Sequence, residues 1–214
     1  MRPRTNIGIC DDHAMIREGL ASVINGMPEF KVTLQASNGE VLLEKLKGAK
    51  PFPGIILLDI SMPVLDGYKT MEILGERYPL LKVMVISLYE SDYSVTQMFK
   101  LGARGYLEKT RDAKELREAL LEIQDGGIYR SKVAAATMSG IRSSMSSEIT
   151  GREKEFLEYC CTGYSYRVIA EKMGLGERTI HGYRDALFDK LGFRTRAGLV
   201  TFALTAGIVL EAKS

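Results

Sequence analysis

The chain has 214 residues, which is enough for one large domain or two small ones. With 45% hydrophobic and 26% charged residues it is typical of a globular protein, and no apolar run approaches the roughly 20 residues that span a membrane. We therefore expect a cytoplasmic protein without a membrane segment. Residues 1–124 carry 16 basic and 17 acidic side chains and residues 125–214 carry 13 and 10, so the second half permits nucleic-acid binding without requiring it.

Strand and helix patterns alternate five times within the first 125 residues. Short apolar runs bounded by turn residues predict strands at 5–10, 30–36, 55–59, 82–87 and 104–107. Apolar side chains three and four positions apart predict helices at about 13–25, 40–46, 68–78, 91–101 and 112–124. Because crossovers between parallel strands are right-handed, the sequence predicts an α/β fold, a flavodoxin-like, doubly wound, five-stranded parallel sheet.

Polar side chains stand where four of these strands end, and a flavodoxin-like strand order would gather them at one edge of the sheet. Three are carboxylates, Asp11, Asp12 and Asp59, and the others are Ser87 and Lys109. Adjacent carboxylates repel one another unless a cation joins them, and hard oxygen ligands favour Mg²⁺. The set predicts phosphoryl transfer to Asp59, with Mg²⁺ and Lys109 neutralising the phosphoryl oxygens.

The order and spacing of these residues resemble the receiver domain of bacterial two-component response regulators. The matching motifs lie within residues 5–125 and are DDH (11–13), DISMP (59–63), Ser87 and GYLEK (105–109). The resemblance implies that a sensor histidine kinase phosphorylates Asp59 with the help of Mg²⁺. It also implies that the protein is no enzyme beyond catalysing its own phosphorylation and dephosphorylation.

The same resemblance implies the ligands of the metal. Asp12 would bind Mg²⁺ directly and Asp11 partly through water. Asp59 and the backbone carbonyl of Ser61 would complete the ligands that the protein supplies.

Ser87 and Lys109 would hold the phosphoryl group by the same resemblance, and Tyr106 would turn inward on activation. Two neighbours depart from the family pattern. Leu88 stands where the family usually has a small residue, and we expect it to narrow the entrance to the site. Thr110 stands where many receivers have a proline after a cis bond, so the Lys109–Thr110 bond is either trans or cis at a cost of ~2.5–4 kcal/mol.

A segment rich in Ser, Ala and Gly follows and has no sustained apolar stripe, which predicts a flexible linker. We therefore predict a receiver domain at 1–127, a linker at 128–148 and a second domain at 149–214.

The second domain has helical periodicity throughout and is predicted to be a small all-α unit of four helices. Thr150 and Glu153 form a capping box for its first helix. Ser165 caps the second helix, the third spans 177–191, and Thr195 caps the fourth. A helix, a tight turn with Gly and another helix are typical of a helix-turn-helix unit.

Three stretches of this domain resemble the LuxR-type DNA-binding domain of NarL/FixJ response regulators: ITGREKEFL (149–157), IAEKMGLGERTI (169–180) and KLGFRTRAGLV (190–200). The resemblance implies that the third helix enters the major groove of double-stranded DNA and that the fourth forms the contact of a homodimer. With Ile180 facing inward, steps of 100° place on the outer face Arg178, His181, Gly182, Asp185 and Asp189. The candidate phosphate contacts, each of which is otherwise a solvated surface arginine, are Arg152, Arg167, Arg178, Arg194 and Arg196.

Three functions compete on this evidence. The leading hypothesis is a phosphorylation-controlled transcription factor. The second keeps the receiver but makes the C-terminal domain a dimerisation or protein-contact module, because its outer face is weakly basic; salt-dependent binding to duplex DNA would separate these two. The third makes Asp59 the nucleophile of a phosphatase of the haloacid-dehalogenase type, but such enzymes usually carry a general acid two residues on, where this chain has Ser61.

Overall fold

The computed structural model describes residues 3–88, 92–109, 112–129 and 149–208. The elements in these ranges are, in chain order, β1 (Thr5–Cys10), α1 (Ala14–Asn25), β2 (Phe30–Ala36), α2 (Gly39–Gly48), β3 (Ile55–Asp59), α3 (Gly67–Arg77), β4 (Lys82–Ser87), α4 (Asp92–Lys100), β5 (Gly105–Glu108), α5 (Ala113–Gln124), α6 (Gly151–Cys160), α7 (Tyr166–Met173), α8 (Glu177–Leu191) and α9 (Arg196–Thr205). Within these ranges, no helix has the length and apolar character needed to cross a bilayer.

The five strands form one parallel sheet in the order β2-β1-β3-β4-β5, which confirms the predicted flavodoxin-like fold. The central strand β3 is buried because helices cover both faces of the sheet. Ile56 and Leu58 pack on the side of α2, α3 and α4. Ile55 and Leu57 face α1 and α5, since successive side chains of a strand point to opposite faces.

The carboxyl ends of the inner strands meet at one edge of the sheet. Asp59, the last residue of β3, pairs with Ile86, and Ser87, the last residue of β4, pairs with Glu108. The chain then turns back tightly against β3 at Gly67, where a Cβ would come within 2.4 Å of the carbonyl oxygen of Asp59. This close approach requires glycine, and it holds the loop that follows Asp59 against the sheet.

The three cysteines, Cys10, Cys160 and Cys161, are free thiols. Burial raises the pKa of Cys10 and of Cys160 to about 12, so both remain protonated at neutral pH. They therefore act as small apolar packing residues.

Helices α6 to α9 pack around a separate apolar core, which confirms the predicted four-helix unit. The three predicted caps are present at Thr150, Ser165 and Thr195. Both α7 and α8 end at a glycine with a φ of 66°, Gly174 and Gly192. A left-handed glycine stops a helix at little steric cost, and here it sets the turns between α7, α8 and α9.

Glu153 ties the start of α6 to α8. It is 4% exposed and accepts hydrogen bonds from the backbone N–H of Thr150 and from Nζ of Lys190, each at 2.8 Å. Burial acts to raise the pKa of Glu153, but the hydrogen bonds from Lys190 and Thr150 outweigh burial and lower the pKa below its ordinary value. A lowered pKa adds stability above the unfolded-state pKa of about 4.3, and this stability is lost as the pH falls through the folded-state pKa.

We therefore expect Glu153→Gln to lower the free energy of unfolding by ~1–3 kcal/mol at pH 7 and by much less at pH 3, measured by denaturation followed by circular dichroism. Glu155→Gln is the matched control, because Glu155 pairs with Arg152 at 2.8 Å on the surface, where a pair contributes about 0–1 kcal/mol. Equal losses in the two variants, or a Glu153→Gln effect that is undiminished at pH 3, would contradict this account.

Helix α9 contacts the receiver domain as well as its own core. Oγ1 of Thr195 donates a hydrogen bond to the carbonyl oxygen of Leu101 at 3.0 Å. Oγ1 of Thr201 lies 3.5 Å from the carbonyl oxygen of Ala103. Residues 196–203 are all buried, since one face of α9 meets its own domain and the other meets the receiver.

Small residues allow this close approach. A Cβ on Gly75 of α3 would lie 2.8 Å from Cβ of Thr195, and a Cβ on Gly198 would lie 2.2 Å from the carbonyl oxygen of Lys100. We call the packing of Thr195, Gly198 and Thr201 on Gly75 and residues 100–103 the interdomain contact.

The predicted linker begins at residue 128, but the next two residues still pack on the receiver. Ile128 is 5% exposed and belongs to the receiver core. The backbone N–H of Tyr129 donates to the carbonyl oxygen of Arg104 at 2.8 Å, and its hydroxyl donates to Glu115 at 2.8 Å. The side chains of Ile128 and Tyr129 thus hold the chain against the receiver domain for two residues beyond the predicted end of that domain at residue 127. Residues 130–148 lie outside the described residues, and the domain boundaries stay predictions.

Candidate functional site

Asp11, Asp59 and Lys109 come together at the carboxyl edge of the sheet. Nζ of Lys109 lies 2.8 Å from Oδ2 of Asp11 and 2.9 Å from Oδ2 of Asp59, and none of the three side chains is more than 4% exposed. The backbone N–H of Lys109 donates to the carbonyl oxygen of Ser87 at 2.7 Å, which fixes the lysine beside the end of β4. The lysine therefore bridges two buried carboxylates at the ends of the neighbouring strands β1 and β3.

Burial raises the pKa of Asp59 above its ordinary value. The hydrogen bond and the positive charge of Lys109 oppose the rise without cancelling it, whereas the charge of Asp11 adds to it. Oδ1 of Asp59 also accepts a hydrogen bond from the backbone N–H of Ile60 at 2.8 Å. Additional positive charge at this edge would stabilise the ionised carboxylate, which is the nucleophilic form.

The donor atoms at this edge fit a divalent cation. Carboxylate oxygens of Asp11, Asp12 and Asp59 lie, together with a ring nitrogen of His13, within 4.8 Å of one another. Ligands around one octahedral cation with bonds near 2.0–2.1 Å lie about 3–4 Å apart, so small adjustments suffice. Three hard oxygen donors suit Mg²⁺. Ser61, the source of the remaining predicted ligand, follows in the loop after β3, with its side chain exposed.

Ser87 and Tyr106 occupy the two strands next to Asp59. Ser87 is 8% exposed, and Tyr106 is fully buried in the core that includes residues of α4. Tyr106 thus has the inward orientation that the resemblance associates with activation, while its switching role stays a prediction. Leu88 is 45% exposed, and its effect on the entrance also stays a prediction. Thr110 lies outside the described residues, as does its bond to Lys109.

The outer face of α8 is accessible. Arg178, Gly182 and Asp185 are exposed, whereas His181 is partly buried. The His181 ring packs edge-on against Tyr166 of α7, with the ring centroids 5.3 Å apart. No carboxylate of the described residues forms an ion pair with Arg178, so its guanidinium is available at the N-terminal end of the helix.

Asp185 is paired within this face. A guanidinium nitrogen of Arg184 lies 2.7 Å from Oδ1 of Asp185, and the guanidinium lies about 6 Å from the rings of Tyr166 and Phe188. Sequence reasoning missed Arg184, because consecutive residues of a helix point about 100° apart and only a long side chain can bend back. The pairing reduces the negative charge that the helix presents to a ligand.

Four of the five candidate phosphate contacts lie on the surface, Arg178 among them. Arg194 is exposed, and Arg152 and Arg167 form ion pairs with Glu155 and Glu171 of their own helices. Both pairs are exposed and contribute little to stability, so they leave these arginines able to exchange partners.

The predicted phosphate contact of Arg196 is not supported by the structure. Arg196 is 8% exposed and donates a hydrogen bond to the carbonyl oxygen of Cys160 at 3.2 Å. Its guanidinium lies 5.1 Å from the ring centroid of Tyr166, which is typical of a cation–π contact. The side chain therefore joins α9 to α6 and α7 instead of facing solvent.

A parallel α/β sheet with buried carboxylates at its edge, followed by a helix-turn-helix unit, defines a two-component signalling protein. Residues 7–121 match the family model described as "Response regulator receiver domain", and residues 147–203 match "Bacterial regulatory proteins, luxR family". The chain therefore belongs to the response regulators that carry a receiver domain and a LuxR-type DNA-binding domain and regulate transcription. This favours the first of the three hypotheses.

Relatives match this chain along nearly their whole length. The transcriptional regulatory protein DegU of Brevibacillus brevis is 33% identical over 96% of this chain and 95% of its own. The transcriptional regulatory protein MctR of Rhizobium johnstonii is 31% identical over 97% of each chain. The structure of RcsB from Salmonella enterica serovar Typhimurium, bound to promoter P1flhDC in the presence of phosphomimetic BeF3−, is 19% identical with a TM-score of 0.59, covering 95% of this chain and 99% of that chain, which shows a shared fold.

Proposed function

We propose that a sensor histidine kinase phosphorylates Asp59 and that this phosphorylation controls the binding of the α6–α9 domain to double-stranded DNA. The observation that carries the proposal is the buried pair of Asp59 and Lys109, 2.9 Å apart within a cluster of carboxylates. The match to the receiver family supports the kinase as partner, and the luxR match supports DNA as ligand. A protein with both partners works in the cytoplasm.

Asp59 acts as the nucleophile in this proposal. An oxygen of its carboxylate bonds to phosphorus while the bond from phosphorus to the histidine nitrogen of the kinase breaks, and that nitrogen keeps the electron pair. Lys109 then pairs with the phosphoryl oxygens, and the hydroxyl of Ser87 donates a hydrogen bond to one of them. Attack by water on the acyl phosphate restores Asp59, so the chain catalyses only its own phosphorylation and dephosphorylation. A Mg²⁺ ion would neutralise the transferred group, and its proposed ligands are Asp11, Asp12, Asp59 and the carbonyl of Ser61.

The interdomain contact offers a route from this site to the DNA-binding domain. Tyr106 lies in β5, and the loop that enters β5 holds Thr195 through the carbonyl oxygen of Leu101 at 3.0 Å. A shift of Ser87 toward the phosphoryl group, with Tyr106 held inward, would move this loop and release α9. By the family resemblance α9 forms the contact of a homodimer. A chain whose α9 packs on its own receiver domain would therefore be unable to form that homodimer.

DNA binding of the full chain tests the function directly. We expect treatment with a small phosphodonor and Mg²⁺ to tighten binding to a duplex selected from a random library, as measured by fluorescence anisotropy. The binding should weaken steeply with salt, because phosphate contacts release counterions. Equal affinity before and after complete phosphorylation would contradict the proposed control.

Arg178→Ala tests whether α8 reads the bases. Arg178 lies at the N-terminal end of this helix, which reaches base edges in helix-turn-helix complexes. We expect a loss of ~1–3 kcal/mol at the selected duplex and a relaxed sequence preference, measured by titration against selected and shuffled duplexes.

Arg194→Ala is the comparison variant, because an exposed arginine that contacts only phosphate weakens binding to both duplexes alike and flattens the salt dependence. If Arg178→Ala keeps both affinity and sequence preference, this face of α8 does not contact the bases. The result would favour the hypothesis that the C-terminal domain is a dimerisation or protein-contact module.

A further inference from the structure

The imidazole of His13 lies against the carboxylate cluster. Its Nδ1 is 2.8 Å from Oδ1 of Asp12 and 3.6 Å from Oδ1 of Asp11. His13 immediately precedes α1, but its side chain makes no capping hydrogen bond there. The ring is therefore directed at the acidic edge without being needed to start the helix.

The contact between His13 and Asp12 is short but does not have the geometry of a hydrogen bond. Oδ1 of Asp12 is buried and accepts no hydrogen bond from any described residue. Oδ2 of Asp11, whose side chain is fully buried, forms an ion pair with Nζ of Lys109 at 2.8 Å. A ring nitrogen and a carboxylate oxygen 2.8 Å apart are spaced like neighbouring ligands of one cation, which lie about 3 Å apart.

Lys109 and His13 approach different oxygens of the cluster. Lys109 contacts Oδ2 of Asp11 and of Asp59, whereas His13 lies near Oδ1 of Asp11 and of Asp12. A cation on the side of His13 therefore does not have to displace the lysine.

We propose that Nδ1 of His13 joins Asp11, Asp12 and Asp59 as a nitrogen ligand, so that the site binds first-row transition-metal cations more tightly than Mg²⁺. Imidazole suits Fe²⁺, Ni²⁺, Cu²⁺ and Zn²⁺, and the affinity of such mixed sites rises from Mn²⁺ to Cu²⁺. Mg²⁺ prefers oxygen and retains water, so it uses the carboxylates and gains little from the ring. This inference rests on the cation site of the proposed function and adds a ligand and a metal preference to it.

Calorimetric titration of the full chain, free of any affinity tag, with Ni²⁺ and with Mg²⁺ tests the preference. We expect Ni²⁺ to bind more tightly than Mg²⁺. His13→Gln should weaken Ni²⁺ binding about tenfold or more and change Mg²⁺ binding less than about twofold. The matched control is His181→Gln, since His181 is the other of the two histidines in the chain, and it should change neither affinity.

Pulsed electron paramagnetic resonance of bound Mn²⁺ reports the ligand itself. We expect imidazole nitrogen coupling in the wild type and in His181→Gln, and its loss in His13→Gln and in His13→Asn, which retains a good helix-capping residue. Coupling that persists in the His13 variants, equal losses of Ni²⁺ and Mg²⁺ affinity, or wild-type Ni²⁺ binding no tighter than Mg²⁺ binding would overturn the inference and leave the carboxylate site of the proposed function standing. Failure of every cation to bind would overturn both.

Discussion

Asp59→Asn is expected to abolish phosphorylation of the chain. Asparagine has nearly the shape of aspartate, so the contacts around it are preserved, but its amide is neutral and is a poor nucleophile toward phosphorus. Lys109, 2.9 Å from Asp59 in the wild type, would still lie beside this position, but no carboxylate oxygen would remain there to bond to phosphorus. Intact-mass spectrometry after incubation with a small phosphodonor and Mg²⁺ should show one added phosphoryl group in the wild type and none in the variant.

Asp66→Asn is the matched control for this substitution. Asp66 caps α3 by accepting a hydrogen bond from the backbone N–H of Lys69 at 2.9 Å, and asparagine caps equally well. Its labelling should equal that of the wild type, whereas removal of divalent cations with a chelator should stop wild-type labelling. Undiminished labelling of Asp59→Asn would show that another residue accepts the phosphoryl group.

Gly75→Leu is expected to open the interdomain contact and to raise the DNA affinity of the unphosphorylated chain about tenfold. A Cβ at Gly75 meets three side-chain atoms of Thr195 at 2.8–3.1 Å. Thr195 has little freedom to move, because its hydroxyl caps α9 through the N–H of Gly198 at 3.0 Å and donates to Leu101. Overpacking costs ~1–3 kcal/mol, and 1.4 kcal/mol corresponds to a factor of ten in an equilibrium.

Gly19→Leu provides the control for the added side chain. Gly19 also lies within a helix, α1, but a Cβ there meets nothing within 4 Å. Both variants replace glycine by a better helix former, so only the steric effect on α9 differs. The measurements are fluorescence anisotropy without phosphodonor and small-angle scattering. If Gly75→Leu changes neither the affinity nor the scattering profile, the contact does not restrain the DNA-binding domain.

The elements of both domains could be predicted because their signals are local. The run of apolar residues 55–58 ending at Asp59 marks a buried strand in any tertiary context, and Thr150 with Glu153 marks the start of a helix. Alternation of strands and helices leaves few topologies once crossovers are right-handed, and the predicted flavodoxin-like strand order is one of them. That order brings the ends of β1, β3, β4 and β5 together, which is why Asp11, Asp59 and Lys109 could be grouped before any distance was known.

Side-chain direction and partner choice depended on packing between elements distant in the chain. Arg196 is an ordinary basic residue at a helix start by sequence, yet it turns inward because Tyr166 and the carbonyl of Cys160 receive it. Arg184 bends toward Asp185 because aromatic rings hold its guanidinium. Hydrophobic periodicity predicts only the direction in which a side chain leaves its own helix. It does not predict which hydrogen-bonding groups or rings a neighbouring element places beside that side chain.

The sequence thus determined the strands, the helices and the identity of the carboxylates at the strand ends, all of which follow from short-range patterns and chain connectivity. Tertiary structure alone decided that His13 faces those carboxylates and that α9 is covered on its second face by Gly75 and residues 100–103. The contacts of α9 join residues many positions apart through small side chains and backbone carbonyls. Such groups have no hydrophobic periodicity, so only the packed chain brings them together.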